Sequence, residues 1–258
     1  MAMVAEPGTS AVVELHYVVR SVPDTWELPE VHVPESRPHD LLVEHVKALL
    51  VAWVERTGRD AIVARNLAFR WMEDRPKIGV DPDVALIEPT PPKAGNLTSL
   101  CTWKEGHPVP RLAIEVVSAS HPYKDYATEH EKYAVGGIEE LWIVDARLCG
   151  PRAHGGPIPL QLWRRDPGGA FRCSYRGGGP VESRVLGAWV RVAGESVEIA
   201  DERSFALRWL TPVEAERAAK EAERAEKEAE RAEKEAERAR AADLEHRLRE
   251  LEAKLADK

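Results

Sequence analysis

A single glutamate inside an apolar run constrains this chain more than any other feature. Residues 112–117 read LAIEVV, dry enough for an inner strand of a sheet, and Glu115 sits in the middle of them. A carboxylate in such a place is costly to bury without a cation or a donor, so the run predicts a site as well as a core. After it come a short polar loop, a helix over 125–135, a stop at Gly136 and Gly137, and a second apolar run over 141–144. Strand, helix and strand of these lengths predict a parallel crossover within a mixed sheet that is covered on both faces.

Upstream, Asp83 stands directly before another apolar run, in DPDVALIE. Two acids projecting from neighbouring strands are suited to share one divalent cation, with a lysine of the following helix beside them. The rest of the chain frames that unit. Residues 1–39 carry five prolines and little periodicity and are expected to be an extended lead-in. Asp40 is a suitable N-cap for a helix whose apolar residues (Leu42, Val46, Leu49, Leu50, Trp53) recur at helical spacing as far as Gly58. Residues 61–71 read as one strand, or as two broken near Arg65 and Asn66. The proline-bearing stretch 89–110 is long enough to be a functional flap. Short strand patterns at 160–164, 171–175 and 189–192 are expected to be antiparallel additions at one edge of the sheet. The fold class expected is therefore α/β with a mixed sheet, in a domain over 40–210.

From residue 211 to 258 the texture changes. Pro212 suits a helix start, and AERAEKE repeats every seven residues. Alanines from Ala215 to Ala239 alternate three and four apart, followed after a slip by Leu244, Leu248, Leu251 and Leu255, which traces a coiled-coil seam. Alanine buries little area, so a solvated single helix held by Glu216–Lys220, Glu223–Lys227 and Glu230–Lys234 pairs is the competing expectation. The leucine end tilts the reading toward self-association of residues 213–258, as a dimer.

Charge and cysteines narrow the function classes. The net charge is −8, and the body before Val213, with 29 acidic and 24 basic residues, is mildly acidic by itself. Indiscriminate phosphate-driven binding is thus disfavoured, and any nucleic-acid contact must be local. Three widely spaced cysteines (Cys101, Cys149, Cys173) form neither a disulfide framework nor a zinc clip, which points to a reducing cytoplasm. The N-terminus lacks the basic start and apolar core of a signal peptide, and no apolar run reaches the ~18 residues of a membrane span. Phosphate-cradling glycine motifs are absent from the sequence.

The stretches RNLAFRW, DPDVALI, AIEVVS, KDY, EKY, a glycine turn and ELWIVD together carry a family likeness. In them the chain resembles the PD-(D/E)xK nuclease superfamily, whose signature is Pro-Asp followed on the next strand by acid-x-Lys. More closely, it resembles the Uma-type family of restriction endonucleases. The resemblance implies a restriction-endonuclease-like core with a coiled-coil-like C-terminal helix. It also implies Mg²⁺ (or Mn²⁺) as cofactor, DNA as substrate and endonucleolytic hydrolysis of phosphodiester bonds. Asp83 and Glu115 become its catalytic acids and metal ligands, the Val116 carbonyl completes the metal shell, and Ser118 contacts phosphate or caps its loop. Two residues after Glu115, where the superfamily lysine would stand, the chain has Val117. The Uma-type pattern places its lysine on the next helix, four residues after the aspartate aligned with Asp125, and that position holds Glu129. Lys132, three residues on and on the same helix face, is the expected catalytic lysine, with Lys124 as the other candidate. Glu44 on the first helix is a further carboxylate candidate, set against an ordinary place on a polar helix face. The displaced lysine and the acidic charge also suit a catalytically impaired nucleic-acid-binding or scaffold protein that kept the fold.

Overall fold

The structure, a computed structural model, describes residues 37–256, with side chains as far as Leu244. The lead-in expected over residues 1–39 therefore lies outside the described residues up to Ser36, and so do the side chains of Leu248, Leu251 and Leu255. The chain divides between Trp209 and Leu210 into two compact units.

Helix α1 (Arg37–Thr57) starts earlier than an Asp40 cap would allow. Asp40 lies inside the first turn, and its carboxylate is ion-paired with Arg65. The apolar stripe behaves as its spacing requires, burying Leu42, Val46, Leu49, Leu50 and Trp53. Strands β1 (Ile62–Arg65) and β2 (Ala68–Arg70) are separate, divided at Asn66, whose φ of +50° lies in the left-handed region that asparagine tolerates. There follow β3 (Gly79–Val80), β4 (Val84–Ile87), β5 (Ser99–Cys101) and β6 (Leu112–Val116). The single helix expected over 125–135 is two: α2 (Pro122–Ala127) and α3 (Glu129–Gly136), broken at Thr128, whose φ of −132° is not helical. Gly137 closes α3 in the left-handed conformation, φ +86°. The chain continues as β7 (Glu140–Val144), β8 (Leu160–Arg165), β9 (Phe171–Gly177), β10 (Val181–Ser183), β11 (Ala188–Ala193) and β12 (Ser196–Ala200).

The central sheet has the order β1-β4-β6-β7-β8-β9. Its β6–β7 pair is parallel and its other neighbours are antiparallel, so the sheet is mixed and the α2–α3 segment is the crossover. Of the late strands, β8 and β9 extend this sheet as expected. The pattern at 189–192 instead belongs to a separate three-stranded sheet, β10-β11-β12. Alternation along the inner strands assigns each face. Val84, Leu86, Leu112, Ile114 and Val116 share a cluster with α1 and the β10-β11-β12 sheet. Ala85, Ile87 and Ala113 share the other with Tyr133 of α3 and with the small β3-β2-β5 sheet.

The loop over 89–110 is placed away from the acids. It leaves the end of β4 that pairs Leu86 with Leu112, whereas Asp83 precedes the opposite end. Its strand β5 runs parallel to β2, giving the stretch a structural place in the small sheet. A buried carboxylate that drew no notice in the sequence ties the layers on the α1 side. Glu140 is 1 % exposed. It accepts hydrogen bonds from Trp142 Nε1–H (2.7 Å), Arg164 Nε–H (3.1 Å), the Ser183 hydroxyl (2.5 Å) and the Arg184 backbone N–H (3.0 Å).

The second unit is dominated by α4 (Pro212–Ala256), 45 residues long. Its start is a capping box: Thr211 Oγ1 accepts the Glu214 backbone N–H at 3.3 Å, and Glu214 Oε2 accepts the Thr211 N–H at 2.8 Å. The i,i+4 pairs Glu216–Lys220, Glu223–Lys227 and Glu230–Lys234 are all formed on exposed side chains. Among the described residues, no helix is long and apolar enough to cross a membrane.

Candidate active site

Strand alternation brings the two acids together. In the β4–β6 pair Val84 faces Ile114, and one step further along the same antiparallel register Asp83 comes opposite Glu115. Glu115 takes an odd position in β6, whose odd residue Ala113 faces the α2–α3 side, and Asp83 stands beside it at the end of the sheet, just before β4. Asp83 Oδ2 accepts the Val116 backbone N–H at 2.7 Å, which fixes it against β6. The hydroxyl of Tyr133, on α3, donates to Glu115 Oε1. From α2, Lys124 places its Nζ 3.4 Å from Glu115 Oε2 and 3.7 Å from Asp125 Oδ1.

The pocket carries more acid than base. Asp83, Glu115, Asp125 and Glu129 are all buried. Burial lifts the Glu115 carboxyl well above its ordinary range, against the pull of Lys124 and with further upward pressure from Asp83 and Asp125. Burial likewise pushes Asp125 up to about 7, again opposed by Lys124. Lys124 is held charged above its usual range, first by Glu115. These shifts pull against each other, since an ionised Glu115 holds Lys124 charged while burial opposes that same ion. Burial is the leading cause for both carboxyls and Lys124 offsets it only in part, so the surplus acid calls for a proton or another cation. Asp125 Oδ1 is moreover buried without a hydrogen-bond partner.

Residues 29–157 match the sequence model of the Uma2 family, described as "Putative restriction endonuclease". The chain belongs to the Uma2 family. Among solved structures it is similar to one described as "a putative nuclease belonging to DUF820" from Anabaena variabilis, with 11 % identity and a TM-score of 0.41. That similarity covers 60 % of this chain and 76 % of the other. Comparison with curated proteins gave no match.

The Uma2 span includes every residue described above for the pocket, from α1 through β7. Within it the two candidate lysines separate. Lys132 Nζ pairs with Glu129 Oε1 at 2.8 Å, the i,i+3 neighbour on its own helix, and Lys124 is the lysine in contact with Glu115. Glu44 is drawn off by Arg65, 2.7 Å away. Ser118 Oγ bonds Ser120 Oγ at 2.8 Å and accepts the Ser120 N–H, closing the loop after β6. Asp145 ends β7 in a turn, accepting the Cys149 and Gly150 N–H groups and the Tyr126 hydroxyl.

Sequence reasoning passed over Tyr133, Asp125 and His39. The first two lie in the quoted KDY and EKY stretches, and a tyrosine on a short polar helix was the available signal. His39 had none, because its ring reaches the pocket from a distant element: Nε2 lies 3.0 Å from the Val116 carbonyl oxygen and 3.3 Å from Asp83 Oδ2.

The described residues contain no group of three or more ligating side chains arranged to hold a metal ion. A closed zinc-type cage is therefore not what the pocket offers. Its chemistry fits a hard cation that takes one or two carboxylates and keeps waters and substrate oxygens for the rest. The surplus of buried negative charge agrees with that fit, as does Asp125 Oδ1, which accepts no hydrogen bond and has only the Lys124 ammonium at 3.7 Å.

Proposed function

We propose that the protein is a metal-dependent endonuclease that hydrolyses DNA phosphodiester bonds, with Asp83 and Glu115 as acids and Lys124 as the catalytic lysine. One observation supports the reading: Asp83, bonded to the Val116 N–H, stands at the same end of the sheet as Glu115, and a lysine ammonium is 3.4 Å from Glu115. Asp83, Glu115 and the Val116 carbonyl would hold Mg²⁺ or Mn²⁺. Bound there, the cation would supply a polarised phosphate and a water of lowered pKa. The chain's own groups do the rest. The Val116 N–H fixes one Asp83 oxygen, and the Tyr133 hydroxyl fixes one Glu115 oxygen, so the carboxylates need little reorganisation. Lys124 is half-exposed and charged, so its ammonium can meet a phosphate oxygen and offset the charge that grows on it.

Purified protein is expected to nick supercoiled plasmid in Mg²⁺ or Mn²⁺ and to stop when the metal is chelated. Asp83→Asn and Glu115→Gln should each lower the rate by at least ~10²–10³. Nicking that persists in both variants would remove these residues from the chemistry. Single-stranded DNA, branched DNA and RNA run beside the duplex assign the substrate.

A second reading, a non-cleaving nucleic-acid-binding or scaffold protein, has one observation in its favour. Glu129, at the position where the resemblance implies a lysine, is tied to Lys132. Carboxylate-dependent Mn²⁺ binding without cleavage of any substrate would support it.

The α4 repeat supports pairing of two chains through residues 213–258, with alanines and the terminal leucines as the seam. Light scattering is expected to give a dimer for the full chain and a monomer for a chain ending at Pro212. Equal masses per chain would leave α4 as a lone helix braced by its ion pairs. The three cysteines are free, which suits the cytoplasm proposed for the protein.

A further inference from the structure

The first turn of α1 carries His39 over the end of the sheet where the acids stand, and its ring is buried. Among the described residues, Nε2 lies 3.0 Å from the Val116 carbonyl oxygen and 3.3 Å from Asp83 Oδ2. A carbonyl oxygen cannot donate, so in its bond to Val116 it is Nε2 that bears the proton. Asp83 Oδ2 also takes the Val116 N–H at 2.7 Å. One oxygen of Asp83 thus takes the Val116 N–H and has the His39 ring beside it, which leaves Oδ1 to face away from both. The imidazole N–H holds the Val116 carbonyl. Packing alone does not call for this residue. The neighbouring Leu42 and Val116 side chains are apolar, and an imidazole costs more to desolvate than an apolar side chain of its volume.

We propose that His39 is a positioning residue for the cation site. Its Nε2–H holds the Val116 carbonyl while its ring abuts Asp83 Oδ2, keeping both groups in the orientation in which they can ligate. The role rests on the cation reading given under Proposed function. Fixing of ligands by hydrogen bonds from behind typically governs metal affinity by ~10–100-fold.

The test is calorimetric titration of Mn²⁺ into the full chain without DNA, with far-UV circular dichroism and thermal unfolding on the same samples. His39→Phe fills the ring's volume without a donor, and His39→Gln restores one amide N–H. Mn²⁺ affinity is expected to fall ~10–100-fold in His39→Phe and to recover most of that loss in His39→Gln. A folded His39→Phe protein with wild-type affinity would reduce His39 to a packing residue. Equal weakness of the two variants would also overturn the proposal, because the donor would then not matter. Should His39→Phe fail to fold, His39→Asn takes its place: its shorter amide cannot span both acceptors, and unchanged affinity counts against the role. Wild-type protein that binds no Mn²⁺ defeats the cation site itself, a result distinct from a wild-type that binds and variants that bind equally well.

Discussion

Lys124→Ala is expected to slow single-turnover DNA cleavage by about 10²–10³, the usual loss when one preorganised positive group is removed from a developing oxyanion. The expectation follows from reach. Lys124 Nζ is 3.4 Å from Glu115 and half of its side chain is exposed, so it can meet both the acids and an incoming phosphate. Lys132 spends its charge on Glu129. Lys132→Ala should therefore leave the cleavage rate within a few fold, while the buried Glu129 carboxylate left without its partner costs about 1–3 kcal/mol of stability. Measuring rate and thermal unfolding on both variants separates the two effects. A large rate loss in Lys132→Ala with a normal rate in Lys124→Ala would reverse the assignment. Lys124→Arg should restore part of the rate, since charge is kept while the geometry of a compact ammonium is not.

Glu140→Ala is expected to be the most destabilising single change in the body of the protein, at about 3–5 kcal/mol. The side chain takes donors from Trp142, Arg164, Ser183 and Arg184, so its removal strands a guanidinium and an indole N–H in the interior at once. For a unit of this size that corresponds to a fall of roughly 6–20 °C in Tm. Glu140→Gln should cost less, because the amide oxygen still accepts. Glu140 lies on the α1 face of the sheet, on the same side as Trp142 and away from the face that carries Glu115. Mn²⁺ affinity measured well below Tm should accordingly be unchanged. A normal melting temperature, or a lost cation site in folded protein, would contradict this division of labour.

Much of the pocket could be read from sequence because strand chemistry is local. An acid within LAIEVV and an acid before VALI stand out against the burial of their neighbours, and period-two alternation then fixes which side of the sheet they face. The Uma-type motifs were legible for the same reason, and the Uma2 match bears that resemblance out. The helix after β6 was less legible. Its polar, weakly periodic residues gave no signal for the break at Thr128, and the start of α1 before Asp40 was likewise hidden. Residues 189–192 have the alternation of any half-buried strand, and nothing local says which sheet they join.

The amino-acid order alone determined the inner strands, the parallel crossover, the two candidate acids and the long charged helix, since each follows from spacing and from the cost of burying charge. Only the tertiary structure decided which lysine meets Glu115, which carboxylates crowd it, and that a histidine from α1 leans on Asp83. The physical reason is that these outcomes depend on where a helix breaks and how distant elements meet. Such contacts are made through space between residues as far apart as His39 and Val116, and no local pattern encodes them.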